Sequence, residues 1–187
     1  APLFSDCPLD SVYIGAKLIY NKTQKYGFSP FHSNKSLRSV TYNNIEDSIH
    51  AREYAFCSNL QKIAYSGNTR ILGDSAFYSC TSLPEIKIPD HVKTMGSYCF
   101  ALCTSMKKAE VGTGITQIKS STFSNCSTLV DMKIGKNVTD IAERTFFACT
   151  SLPAITIPQA TTAIKDFAFY NCSNLATFVV EDRTKNL

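Results

Sequence analysis

The eight cysteines have the widest chemical range in this chain, since they could form disulfides, bind a metal or act as nucleophiles. Six of them recur at intervals of 23 residues: Cys57, Cys80, Cys103, Cys126, Cys149 and Cys172. If each interval is one turn of a repeat, the six lie in one buried column with parallel Cα–Cβ vectors, which is poor geometry for a disulfide. The sequence has no Cys-x-x-Cys pair and no histidine beside the column, so zinc is not expected. We therefore predict a structural ladder of reduced thiols that pack as small apolar side chains.

The histidines and carboxylates do not form a recognisable catalytic set. His32, His50 and His91 fall at three different positions of the 23-residue interval, so no two are placed to share a proton or a ligand. The acidic pairs at 46–47 and 181–182 fall in turns and lack the partner carboxylate that a glycosidase needs. Lyases with parallel β-helices have turns of similar length, but they need charged residues clustered on one sheet face, and here the charges pair off. We predict no enzyme activity, no cofactor, and no catalytic or metal-binding residues.

The elements that position these residues follow from a strict internal repeat. An aromatic residue returns every 23 residues, without insertion or deletion: Phe31, Tyr54, Phe77, Phe100, Phe123, Phe146 and Phe169. Apolar residues follow each ladder cysteine at fixed offsets, as Leu83, Ile86 and Ile88 follow Cys80. The alternation of Ile86 and Ile88 has the period of a β-strand. One copy is too short to bury a core of its own, so the copies must stack.

This pattern predicts an α/β repeat solenoid with 23-residue turns. A parallel β-sheet would form one face, and short helical or 3₁₀ segments and loops the other. We expect a single domain over residues 1–187, with an irregular first repeat at 1–30 and seven regular repeats at 31–187, the last one incomplete. From Ile14 to Phe31 the chain is 17 residues long where regular copies need 12, so residues 16–30 should bulge out as a loop. The mid-repeat ending leads us to expect a segment of a longer array.

The repeat resembles one known class of leucine-rich repeat. Its consensus is Ile-Gly-x-x-Ala-Phe-x-x-Cys-x-x-Leu-x-x-Ile-x-Ile-Pro, which the stretch 72–89 matches almost throughout. This is similar to the BspA-like repeats of bacterial surface proteins, and the similarity covers the chain from Phe4 onward. The resemblance implies a secreted or cell-surface protein, often an adhesin that binds host matrix proteins, with no catalytic residues to carry over. The chain departs from the pattern at Asn34, which replaces a ladder cysteine, and in its first loop.

The residues between the apolar columns should line the exposed face of the sheet. Their charges alternate in sign down two columns, and this candidate binding face comprises Lys62, Glu85, Lys87, Lys108, Glu110, Asp131 and Lys133. Opposite charges on adjacent strands favour this register, so a self-neutralising ladder competes with a charged ligand site. The net charge of +4 is mild, and nucleic acid would require one dominant sign on the face. No apolar run is long enough to insert into a membrane.

Two other surfaces are candidates for binding. The inserted loop carries aromatic and basic residues: Tyr20, Lys22, Lys25, Tyr26 and Phe28. Irregular loops on rigid scaffolds often carry function, although this one could also merely close an imperfect first turn. An outer column with Tyr78, Phe147 and Tyr170, together with Phe56 and Leu102 one step along, carries apolar residues that either pack against the turns or form a contact surface.

The sequence therefore favours a non-enzymatic protein-interaction or adhesion module, with a protein ligand such as a host matrix protein. A structural spacer that carries a separate adhesive domain is the alternative. Carbohydrate binding on the sheet face is weaker, because neither exposed column offers aromatic platforms. The sequence leaves the ligand and the oligomeric state open.

Overall fold

A computed structural model describes residues 2–16, 29–43 and 47–182. Two sets of short parallel strands run through these residues, and the six turns between Ser39 and Ile164 each contribute one strand to each set. The main sheet contains β1 (Ser11–Ile14), β2 (Ser39–Tyr42), β4 (Lys62–Ala64), β6 (Glu85–Lys87), β8 (Lys108–Glu110), β10 (Asp131–Lys133), β12 (Ala154–Ile157) and β14 (Thr177–Val180). The second sheet contains β3 (Ser48–Ile49), β5 (Ile71–Leu72), β7 (Thr94–Met95), β9 (Gln117–Ile118), β11 (Asp140–Ile141) and β13 (Ala163–Ile164), with its pairing interrupted between β7 and β9. The predicted parallel-sheet solenoid with turns of about 23 residues is confirmed.

The main sheet pairs in the register that the repeat predicts. Glu85 lies opposite Lys108, and Lys108 lies opposite Asp131. In the central strands β6, β8, β10 and β12 the buried and more exposed side chains alternate, as in β12, where Ile155 and Ile157 are buried and Ala154 and Thr156 are exposed. The sheet face is therefore lined by the residues between the apolar columns.

Strand pairing in the main sheet is interrupted between β4 and β6 and again between β10 and β12. At uninterrupted steps two successive N–H groups donate to one carbonyl of the preceding turn, as Gln61 and Lys62 donate to Arg38 O at 2.8 and 3.1 Å. Pro84 and Pro153 occupy the first of these donor positions at the two interruptions. Because proline has no N–H, it cannot make this bond, and the ladder opens where it stands.

The expectation of short helical or 3₁₀ segments opposite the sheet is not supported. In the described ranges, the segment before each ladder cysteine is a series of turns with two left-handed residues, such as Ser75 (φ 55°) and Ser79 (φ 59°). Alternate N–H groups there point to the neighbouring turn, at 2.8, 2.9 and 2.8 Å from the carbonyls of Ser97, Cys99 and Ala101. In a helix, these N–H groups would donate to carbonyls of the same solenoid turn. The backbone instead forms a third ladder between turns, which satisfies its polar groups without a helix.

A stack of aromatic rings runs through the core. Consecutive anchor rings from Phe31 to Phe169 lie 5.2–5.8 Å apart between centroids and are nearly parallel, with interplanar angles of 2–15°. Phe4 extends the stack into the irregular first repeat, 5.4 Å from Phe31. Five of the rings are fully buried. The 23-residue interval thus places one ring directly on the next.

Two tyrosines that share one column of the repeat differ in how their hydroxyls are satisfied. The hydroxyl of Tyr42 lies 3.1 Å from Glu53 Oε1 and 2.7 Å from the hydroxyl of Tyr54, in a buried network. The hydroxyl of Tyr65 is buried and has no hydrogen-bond partner. A buried polar group without a partner is destabilising, whereas a satisfied one is stabilising.

The two tyrosines should therefore respond oppositely to removal of the hydroxyl. We expect Tyr65→Phe to raise the free energy of unfolding by about 1 kcal/mol, because the variant no longer buries an unsatisfied group. Tyr42→Phe should lower it by about 1–2 kcal/mol, because Glu53 loses a donor. Urea unfolding followed by far-ultraviolet circular dichroism measures both changes. Equal destabilisation by the two substitutions would show that Tyr65 has a partner.

Candidate functional site

The exposed face of the main sheet carries the charged candidate residues, and two ion pairs form between its strands. Lys87 Nζ lies 3.3 Å from Glu110 Oε1, and Lys108 Nζ lies 3.7 Å from Asp131 Oδ2. Both pairs join adjacent strands, as the alternation of charge down the columns requires. The side chains keep between a third and three quarters of their exposure, so water screens these pairs strongly. Such pairs each contribute between about 0 and 1 kcal/mol to stability.

A cleft crosses this face between β4 and β6, where Pro84 interrupts the strand pairing. Its volume is about 230 Å³, and its lining residues are Gln61, Lys62, Ile63, Tyr65, Glu85, Ile86 and Lys87. Lys62 lies on one side of the cleft, and Glu85 and Lys87 lie on the other side. The structure thus brings three of the seven predicted face residues to one depression. Lys133 lies farther along the same column as Lys87 and Glu110.

The ladder cysteines are hydrogen-bonded within the fold, and all but Cys172, which is half-buried, are buried. Each thiol donates to the backbone carbonyl of the aromatic anchor one turn earlier, with Sγ···O distances of 3.1–3.3 Å. Burial raises the pKa of the Cys57 thiol to about 12 and raises the pKa of the Cys103 thiol further. Because the thiolate is the nucleophile and the metal ligand, this environment disfavours both kinds of chemistry. All eight cysteines, including Cys7 and Cys99, are free thiols.

The remaining sequence candidates are dispersed. The loop residues Tyr20, Lys22, Lys25, Tyr26 and Phe28 lie outside the described residues. Among the outer apolar residues, Phe56 and Tyr170 are exposed, whereas Tyr78, Leu102 and Phe147 are half-buried. His91 Nε2 lies 3.0 Å from Ser66 O, and His32 Nδ1 lies 2.8 Å from Ser33 Oγ. Each of these two rings is thus held by a neighbour in the fold.

Comparison with known proteins gives the family. A model described as BspA type leucine rich repeat region matches in 6 copies, over residues 2–107, 24–152 and 70–187. The chain belongs to the BspA-type leucine-rich repeat family. Such repeats generally form protein-interaction modules, and the family and fold are typically non-catalytic. No curated protein sequence matches this BspA-type chain significantly.

Solved bacterial leucine-rich repeat proteins share the fold. A protein from Bacteroides ovatus is 25% identical with a TM-score of 0.64, over 81% of this chain and 46% of that one. The T. pallidum leucine-rich repeat protein TpLRR is 20% identical with a TM-score of 0.56, over 78% of this chain and 79% of that one. One from Eubacterium ventriosum is 16% identical with a TM-score of 0.57, over 94% of this chain and 61% of that one. The BspA-type chain thus spans about half the length of the Bacteroides protein.

Two structural observations bear on other kinds of site. Within residues 2–16, 29–43 and 47–182, histidine, cysteine and carboxylate groups nowhere gather in a set that could hold a metal ion. The same part of the BspA-type chain forms no helix long and apolar enough to cross a membrane.

Proposed function

We propose that this chain is a non-catalytic protein-binding module of a secreted or cell-surface bacterial protein, and that the exposed face of its main sheet binds the partner. A host matrix protein is the partner we expect, which would make the module adhesive. The family supports the general role, since leucine-rich repeat proteins are generally protein-interaction modules. A stacked solenoid also holds its surface residues in a regular array that a large partner can span.

The observation that carries the proposal is the alternating charge on this face, opened by the cleft beside Pro84. Lys62 and Glu85 lie on opposite sides of the cleft, and they form no ion pair with each other. The pairs that do form, such as Lys108 with Asp131, are exposed and weak, so a partner can replace them at little cost in stability. Complementary charges on a partner would set its orientation and exclude wrong partners.

The test uses a variant that inverts one charged column while preserving its alternation. The inverted-column variant carries Lys62→Glu, Glu85→Lys, Lys108→Glu and Asp131→Lys. Two positive and two negative residues exchange sign, so the net charge stays at +4 and the cross-strand pairs of this column, such as Lys108 with Asp131, stay opposite in sign. Neighbours in the other column, such as Lys87 beside Glu85, become like-charged, but exposed charges of this kind contribute at most about 1 kcal/mol to stability. The fold should therefore be retained, while the pattern presented to a partner is reversed.

Both proteins are screened against a panel of host matrix proteins. We expect saturable binding by the natural chain and a loss of about tenfold or more in the inverted-column variant, because several charge contacts turn repulsive together. Equal binding by both proteins would place the partner elsewhere.

The alternative function is a structural spacer, which the self-neutralising pairs on this face also suit. Binding to nothing in the panel, with the fold intact, would favour the spacer.

A further inference from the structure

A second pocket lies on the turn surface, which we define as the surface formed by the left-handed turns at 52–56, 75–79, 98–102 and their equivalents. The pocket has a volume of about 360 Å³, and its lining residues are His32, Arg52, Ala55, Phe56, Ser75 and Tyr78. This volume lies at the small end of the range for ligand-binding pockets. None of these residues belongs to the main-sheet face.

Two small residues, Ala55 and Ser75, leave the space of the pocket between larger side chains. Ala55 stands in a column whose members on either side are His32 and Tyr78. Ser75 stands in a column that holds Tyr98 in the next turn and Arg52 in the previous one. The surrounding side chains form walls around the space that a larger residue would fill.

The walls combine aromatic rings with one positive charge. The Phe56 ring lies 5.4 Å from the His32 ring and 5.3 Å from the Tyr78 ring, at interplanar angles of 60° and 68°. Burial, and then the charge of Arg52, lower the pKa of His32, so its ring is neutral near neutral pH. Arg52 has no ion pair with any carboxylate in the described part of the chain. Its guanidinium is therefore available to an anionic ligand.

The chain itself shows what an arginine in this column binds. Arg144 occupies the position of Arg52 four turns later, and it pairs with the carboxylate of Glu143 at 2.5 Å. Its guanidinium also lies over the ring of Phe167, 5.1 Å from the centroid. At the pocket the counterpart of Glu143 is Ala51, and the counterpart of Phe167 is Ser75. Arg52 thus lacks both the carboxylate and the aromatic ring that satisfy Arg144.

From this juxtaposition we propose that the pocket binds a small aryl carboxylate, whose ring fills the space over Ala55 and Ser75 while its carboxylate pairs with Arg52. A guanidinium binds a carboxylate through parallel hydrogen bonds and stacks on aromatic faces, so one side chain can recognise both parts of the ligand. Phe56 and Tyr78 add edge and face contacts to the ring. The ligand is either a free acid or the carboxyl-terminal aromatic residue of a peptide.

The chain has no tryptophan, so an indole ligand can be excited selectively and followed by its own fluorescence. The free-acid probe is indole-3-acetate, and its neutral control is indole-3-ethanol. The peptide probe is N-acetylglycyl-tryptophan, and its control is the carboxyl-terminal amide. We expect at least one acid to bind saturably, and about tenfold more tightly than its neutral control, because the charge-assisted pair with Arg52 is lost in the control. The acid that binds more tightly shows whether the pocket prefers a free acid or the carboxyl terminus of a peptide.

The matched variant fills the pocket with the chain's own groups. Ala51→Glu with Ser75→Phe copies the arrangement around Arg144, and Phe167 shows that this backbone conformation accepts phenylalanine, with φ 58° against 55° at Ser75. This self-filled variant should lose about tenfold or more in affinity for the acid, as should Arg52→Ser. The inverted-column variant should bind the acid as the natural chain does, which separates this site from the sheet face. Absence of saturable binding by both acids at millimolar concentration, or undiminished binding by the folded self-filled variant, would overturn the proposal.

Discussion

Replacing Phe100 with alanine should lower the free energy of unfolding by about 3–5 kcal/mol, the range for deletion of a fully buried phenylalanine. The Phe100 ring is fully buried and stacks on Phe77 at 5.2 Å and on Phe123 at 5.8 Å. In a solenoid each turn is stabilised mainly by its two neighbours. A cavity at Phe100 therefore weakens both interfaces of a central turn, and it should also make unfolding less cooperative.

Urea unfolding followed by circular dichroism measures the loss and the slope of the transition. Phe167→Ala is the matched control, since Phe167 is half exposed and its ring contacts Arg144 and Tyr170 at the surface. We expect its effect to stay below about 1 kcal/mol, because little apolar area is re-exposed. Phe100→Leu, which keeps most of the volume, should fall between the two. Similar losses for Phe100→Ala and Phe167→Ala would contradict a continuous stacked core.

Asn34→Ala should have the next largest effect, because it removes the bonds that attach the irregular first repeat. Asn34 Nδ2 donates to Phe4 O at 2.5 Å and to Cys7 O at 3.1 Å. Its Oδ1 accepts the N–H groups of Ser36 and Leu37, both at 3.0 Å. Asn34 is fully buried, so truncation leaves backbone groups without partners. We expect a loss of about 2–4 kcal/mol, at roughly 1–3 kcal/mol for each group left unsatisfied in the interior.

The loss should be concentrated at the first repeat, which amide hydrogen exchange of residues 4–14 can resolve from the rest of the chain. Asn59→Ala is the control, since Asn59 is exposed and makes one bond, to Lys35 O at 2.6 Å. Asn34→Cys restores the ladder residue but supplies only one donor, so we expect it to recover part of the stability. If Asn34→Ala unfolds like Asn59→Ala, the amide does not hold the first repeat.

The exchange of cysteine for asparagine follows from the inserted loop. A ladder cysteine bonds to an anchor carbonyl 26 residues earlier, as Cys57 bonds to Phe31 O. The corresponding anchor before Asn34 is Phe4, 30 residues earlier, in a repeat of irregular length. A carboxamide is longer than a thiol and carries two donors and an acceptor, so it spans the irregular step. The substitution is visible in the sequence, but the bonds that it makes are visible only in the structure.

The sequence predicts the sheet well because apolar spacing and charge alternation both bear on strand register. The Lys87–Glu110 and Lys108–Asp131 pairs form across the strands on which the repeat places them. The turns were harder to predict. Left-handed backbone normally favours glycine or asparagine, but here it occurs at residues such as Phe56 and Tyr98, whose types give no sign of it. The bonds between turns that hold this conformation depend on tertiary stacking, which local sequence does not encode.

The two depressions were also missed, although each has a signal in the sequence. Pro84 stands one position before β6, where its missing N–H opens the cleft. The pocket beside Arg52 follows from small residues, Ala55 and Ser75, in columns that hold larger ones elsewhere. A small residue in place of a large one is recognised only by comparing equivalent positions of different turns, such as Ser75 and Phe167.

The most direct test of a binding role for the main-sheet face is the dissociation constant of a matrix protein captured in the screen, measured for the natural chain, the inverted-column variant and the self-filled variant. Net charge is the same in the first two, so a difference between them reports the pattern of charge. We predict that the inverted column weakens binding by about tenfold or more, while filling the turn-surface pocket leaves it unchanged. An inverted-column variant that folds and binds as tightly as the natural chain would contradict the assignment of the partner to this face.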